Sequence, residues 1–78
     1  MQITIRRTNG AIIATGAVRQ LDAGITRLYN DALGYYPRRN IGRLEPLTGG
    51  GTYHVQMGFS AGYGSVSLDP MVVVQVDD

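Results

Sequence analysis

The sequence predicts an α+β fold, with one amphipathic helix packed on a mainly antiparallel sheet of four or five strands in the order ββαβββ. Three observations carry this. An Asn9-Gly10 dipeptide sits between two runs rich in β-branched residues. A helical spacing of apolar side chains occupies residues 25 to 36. Alternating or β-branched runs then fill residues 52–59 and 71–76.

Residues 2–18 read as a hairpin. Asn-Gly is the strongest two-residue turn signal, because both central positions of a type I′ turn need positive φ. Two-residue closure pairs residues whose numbers add to 19. That places Ile3, Ile5, Ala14 and Gly16 on the core face, with Arg7 opposite Ile12 at its rim. Thr4, Thr15, Arg6 and Ile13 fall on the other face. A slip of one residue would turn Thr4 and Arg6 inward, so the register is specified.

Asp22 is expected to cap the helix. Ile25, Leu28, Tyr29, Ala32, Leu33 and Tyr36 recur at three- and four-residue intervals and form its buried stripe. Thr26, Arg27, Asn30 and Asp31 would lie outside, with Arg27 and Asp31 paired one turn apart. Gly34 supplies a left-handed stop, and Pro37 forbids continuation.

A short strand is expected over residues 42–47, with Pro46 confining it to an edge or a strand end. Thr48-Gly49-Gly50-Gly51 is a turn. Residues 52–59 alternate, with Tyr53, Val55, Met57 and Phe59 on one side and Thr52, His54 and Gln56 on the other. Residues 60–64 form a loop, and Val66-Ser67-Leu68 pairs back onto the preceding strand. Asp69-Pro70 breaks the chain before a last strand, Met71 to Val76, expected to be buried on both faces near its middle.

Seventy-eight residues make one domain, residues 1–78, since a core must be shared by nearly the whole chain. With no cysteine, disulfides and thiolate metal sites are excluded. Charged residues are 17% of the chain and hydrophobic residues 44%, which argues for a folded globule. No leader or spanning segment is legible: the apolar start carries its arginines on the wrong side, and Met71–Val74 is far too short for a bilayer. The expectation is a soluble, cytoplasmic protein with no membrane partner.

All seven positive charges are arginines, and all lie in residues 1–43. That stretch carries +5, and residues 44–78 carry −4. Arginine is a planar, weakly hydrated fork that binds carboxylates, phosphates and aromatic faces. The expectation is that these groups gather on one open side as a contact surface. The segment Tyr35-Tyr36-Pro37-Arg38-Arg39 is its centre, because Tyr and Arg are enriched at interface hot spots and proline stiffens the chain. The expected partner-binding residues are Tyr35, Arg38, Arg39, Arg6 and Arg43. Tyr36 is read mainly as closing the core at the helix end.

Catalytic chemistry finds little support. Gly58-Phe59-Ser60-Ala61-Gly62 matches G-x-S-x-G, but the residues after it are not helical and the only histidine, His54, precedes the serine. His54 lacks a nucleophile, an orienting group or further ligands at useful spacing, so it is read as a surface histidine. Without lysine there is no Walker-type phosphate loop and no Schiff base. The expected protein is not an enzyme and uses no cofactor or metal.

Three functions are compatible with these residues. The first is a small binding module that engages a protein partner through Arg and Tyr side chains. In size and layout alone, such a cysteine-free α+β domain resembles the small inhibitors carried by phages and mobile elements, anti-CRISPR proteins among them. The second is a nucleic-acid-binding module using the same side chains. The third is an assembly subunit that forms a homo-oligomer.

Overall fold

A computed structural model of the chain describes residues 1–47 and 50–77. Its elements are β1 (Gln2–Arg7), β2 (Ile12–Ala17), α1 (Leu21–Leu33), β3 (Asn40–Pro46), β4 (Thr52–Ser60), β5 (Val66–Leu68) and β6 (Val72–Asp77). The sheet runs β2-β1-β6-β4-β3 and every pairing is antiparallel. One helix lies on one face of it, as the sequence predicts. Thr48, Gly49 and Asp78, parts of the expected Gly-rich turn and acidic tail, lie outside the described residues.

The first hairpin keeps the expected register from Gln2↔Ala17 to Ile5↔Ala14, then shifts to Arg6↔Ile12. Gly10 alone takes positive φ, at 95°; Asn9 does not. The amide of Gly10 donates to the Arg7 carbonyl at 2.9 Å, and that of Arg7 to the Ala11 carbonyl at 2.8 Å. The turn is therefore a three-residue loop with a glycine bulge instead of the expected type I′ turn. The extra residue exchanges the roles of two isoleucines: Ile13 packs against the core, and Ile12 is 58% exposed.

Helix α1 starts earlier than expected. Gln20 occupies the N-cap without a side-chain bond, and Asp22 sits in the first turn, where its charge suits the helix dipole. Gly34 ends the helix at φ 69°, with its amide bound to the Asn30 carbonyl at 2.8 Å. Ile25 and Tyr29 are buried, each contributing about 1.5–3 kcal/mol relative to exposure. Gly24 lets the helix touch the connection that follows β2: a Cβ there would sit 2.4 Å from Val18 Cβ. Asn30, expected outside, is fully buried. Ala32 is exposed, and Asp31 pairs with Arg38 instead of Arg27.

The core joins these residues to Ile3, Ile5, Val55, Met57, Val72 and Val74. Strand β3 begins two residues before its expected start and lies at the sheet edge. A register shift between Ile41 and Arg43 leaves Gly42 unpaired, so Ile41 and Leu44 both pack toward the core. Strand β6 is central, yet buried on the helix side only: Val72 and Val74 are enclosed while Gln75 is exposed. Strands β5 and β6 share one edge of β4, separated by a bulge at Asp69–Met71. Among the described residues no helix is long and apolar enough to cross a membrane.

Candidate functional site

The segment between α1 and β3 carries four contact-prone side chains, Tyr35, Tyr36, Arg38 and Arg39, and the fold sorts them into two pairs. Once Gly34 turns left-handed, helical periodicity no longer governs the residues beyond it. Tyr35 folds back, with its ring centroid 5.8 Å from that of Tyr29. Tyr36 points away and is 96% exposed. The tyrosines thus exchange the places expected of them.

Arg39 turns inward. Its guanidinium carbon lies 4.7 Å from the Tyr35 ring centroid and 5.5 Å from that of Phe59, a cation between two aromatic faces. Its Nε lies 3.3 Å from Asp69 Oδ1, and the two side chains are 17% and 8% exposed. That Nε makes no hydrogen bond of regular geometry among the described residues, so the link is a charge pair. The phenol of Tyr29 donates to Asp69 Oδ2 at 2.7 Å. Burial first, and this bond second, push the Tyr29 pKa well above the usual phenol range.

The backbone of Arg39 is held as firmly as its side chain. The Asn30 side-chain amide accepts from Arg39 N and donates to Arg39 O, both at 2.8 Å. Asp69 is anchored from the sheet side by its own amide, which donates to the Met57 carbonyl at 3.0 Å, and by Gln56, whose Nε2 donates to the Asp69 carbonyl. One polar knot therefore fastens the helix end, the 35–39 segment, β4 and the bulge before β6.

Tyr36 and Arg38 project from that framework. Arg38 Nη1 donates to Asp31 Oδ1 at 2.6 Å, with both side chains more than half exposed. An open groove of about 680 Å³ lies alongside, lined by Thr26, Arg27, Asp31, Arg38, Asn40 and Ile41. Its lining carries both signs of charge beside the half-buried Ile41, and it adjoins the segment that presents the exposed tyrosine.

The arginines do not gather on one side. Of the residues expected to bind a partner, Arg38 stands at this groove, while Tyr35 and Arg39 form the framework beneath it. Arg6 and Arg43 lie on the sheet face opposite the helix, where Arg43 pairs with Glu45 and Arg6 Nη1 donates to the Gly10 carbonyl at 3.2 Å. Asn30 and Asp69 are not legible in the sequence as partners of Arg39. The available signal is chemical: a fold this small can enclose an arginine only beside a carboxylate, and Asp69 is the acid next to a strand break.

The chemistry of the remaining candidates is simple. After Ser60 the chain enters a turn and then β5, so the serine sits on no strand-to-helix elbow. His54 lies on the open sheet face opposite Glu45 and Val73. No cluster of three metal-ligating side chains occurs among the described residues. No family model, curated protein or solved structure matches the chain.

Proposed function

We propose that this chain is a non-enzymatic binding module that grips a protein partner with Tyr36 and Arg38 over the adjoining groove. The observation that carries this reading is a fully presented tyrosine on a segment fastened at both ends. Tyr36 is 96% exposed, yet its neighbours are fixed by the Gly34 cap, by the Asn30 clamp and by the Arg39–Asp69 pair. Such a segment loses little freedom on association, and aromatic and arginine side chains are the usual anchors of interfaces. The partner it fits has an apolar pocket for the Tyr36 ring, rimmed by acceptors for the phenol and for Arg38. An inhibitor that occupies a partner's working surface is the simplest use of such a module.

A nucleic-acid role has less support. The open sheet face carries Arg6, Arg43 and His54, but the aromatic side chains of β4, Tyr53 and Phe59, alternate to the helix side.

The test is affinity capture from the source cell with the wild-type chain and with Tyr36→Ala, Arg38→Ala and Tyr63→Ala. Tyr63 is an equally exposed tyrosine on the β4–β5 turn and serves as control. A protein retained by the wild type and by Tyr63→Ala, but lost with Tyr36→Ala, supports the reading. Equal retention by all four chains contradicts it.

A further inference from the structure

Among the described residues no element covers the sheet face opposite α1, and the register fixes what that face displays. One row crosses five strands: Ile12 lies opposite Arg6, Arg6 opposite Val73, Val73 opposite His54, and His54 opposite Glu45. Their neighbours along the strands, Ile5, Val72, Val74 and Val55, are buried on the helix side, so this row faces outward. A second row holds Thr15, Thr4, Gln75 and Thr52. Leu68 and Val66, more than 60% exposed, lie on the same face further along β4, because a Cβ on Gly58 would meet both on this side.

Four of its five members, Arg6, Val73, His54 and Glu45, are complementary to their own reverse. A two-fold axis along the strands, midway between β6 and β4, would lay Arg6 of one copy over Glu45 of the other and Val73 over His54. Arg6 faces no carboxylate of its own chain among the described residues. Glu45 has one partner, Arg43, and is still about half exposed. We infer that the open face is the contact between two copies of this chain, packed sheet on sheet with Arg6–Glu45 pairs at both ends of the four-strand overlap. Aligned sheets about 10 Å apart, offset by roughly 30°, satisfy this geometry. The helices then lie outward, and each dimer displays two Tyr36 segments. This contact does not depend on what those segments bind.

Four strands overlap about this axis, with β2 overhanging; about 4.8 Å apart and about 20 Å long, they project roughly 380 Å². That lies below the ~800 Å² per partner of a standard interface, so weak, concentration-dependent association is expected.

Sedimentation equilibrium from roughly 5 to 500 μM reads weak association of this kind. The wild type should pass from monomer to dimer. Arg6→Glu, which sets two carboxylates face to face, should weaken the dimer roughly tenfold or more. Val73→Lys should do the same through the centre of the face. The double exchange Arg6→Glu with Glu45→Arg should restore association, and circular dichroism reports whether each variant is folded. A wild type that stays monomeric throughout overturns the inference. So does a dimer indifferent to Arg6→Glu and Val73→Lys, a double exchange that fails to restore it, or a monomer that instead binds a single-stranded oligonucleotide through Arg6.

Discussion

Arg39 and Asp69 form an ion pair inside the protein, 3.3 Å from Nε to Oδ1, with the arginine between Tyr35 and Phe59 and the aspartate held by Tyr29. The pair joins the segment after the helix to the bulge before the last strand. Tyr36 and Arg38, on the same segment, are exposed.

Removing the carboxylate leaves the guanidinium of Arg39, on a side chain only 17% exposed, without its countercharge. Asp69→Ala should lower unfolding free energy by about 2–4 kcal/mol, near the range for breaking an enclosed pair. Asp69→Asn keeps an acceptor for Tyr29 and should cost less. Urea denaturation of the two variants measures the difference.

Asn30 holds Arg39 through two backbone bonds. Asn30→Ala strands a partly enclosed amide and carbonyl and should cost about 2–4 kcal/mol, because an unmet polar group forfeits its hydration. Amide exchange should accelerate at Arg39 by more than global destabilisation explains.

Gly24 touches Val18 so closely that any side chain there must displace it. Helix propensity alone favours alanine by about 1 kcal/mol, whereas overpacking costs about 1–3 kcal/mol. Gly24→Ala should therefore be destabilising, by up to about 2 kcal/mol in thermal unfolding. A gain in melting temperature would show that α1 stands further from Val18.

The enclosed phenol of Tyr29 gives the fold an alkaline limit. Its folded-state pKa lies above the unfolded value, so the unfolded chain surrenders this proton first as pH rises. The contribution is fully present below about pH 10 and declines above it, by about 1.4 kcal/mol per pH unit. Tyr29→Phe should flatten that decline while lowering stability near neutral pH by about 1–2 kcal/mol through the lost bond to Asp69. Denaturant midpoints from pH 8 to 11.5, a window of roughly 3.5 units around the phenol's ordinary pKa, read both effects.

Much of the architecture is legible from periodicity. Ile3, Ile5, Val55 and Met57 lie where alternation places them, and Gly34 ends the helix. Periodicity fails wherever one residue is added or the element stops. The bulge in the first hairpin exchanges Ile12 and Ile13, and the one at Gly42 turns both Ile41 and Leu44 inward. Tyr36 departs from its expected place because helical spacing does not extend past the helix end. Asn30 and Asp69 escape a sequence reading for a different reason: polar side chains read as exposed until their partners are known, and those partners are distant in sequence. Adjacent Arg38 and Arg39 are equivalent in composition, and only tertiary structure separates them.

Equilibrium denaturation of Arg38→Ala beside Arg39→Ala tests this separation most directly. Arg38, paired with Asp31 in the open, should change stability by less than about 0.5 kcal/mol. Arg39→Ala should lose about 2–4 kcal/mol, since it removes both the pair with Asp69 and the packing between Tyr35 and Phe59. Equal and small effects at the two positions would contradict the account, because the Arg39 side chain would then contribute no anchor to the segment carrying Tyr36.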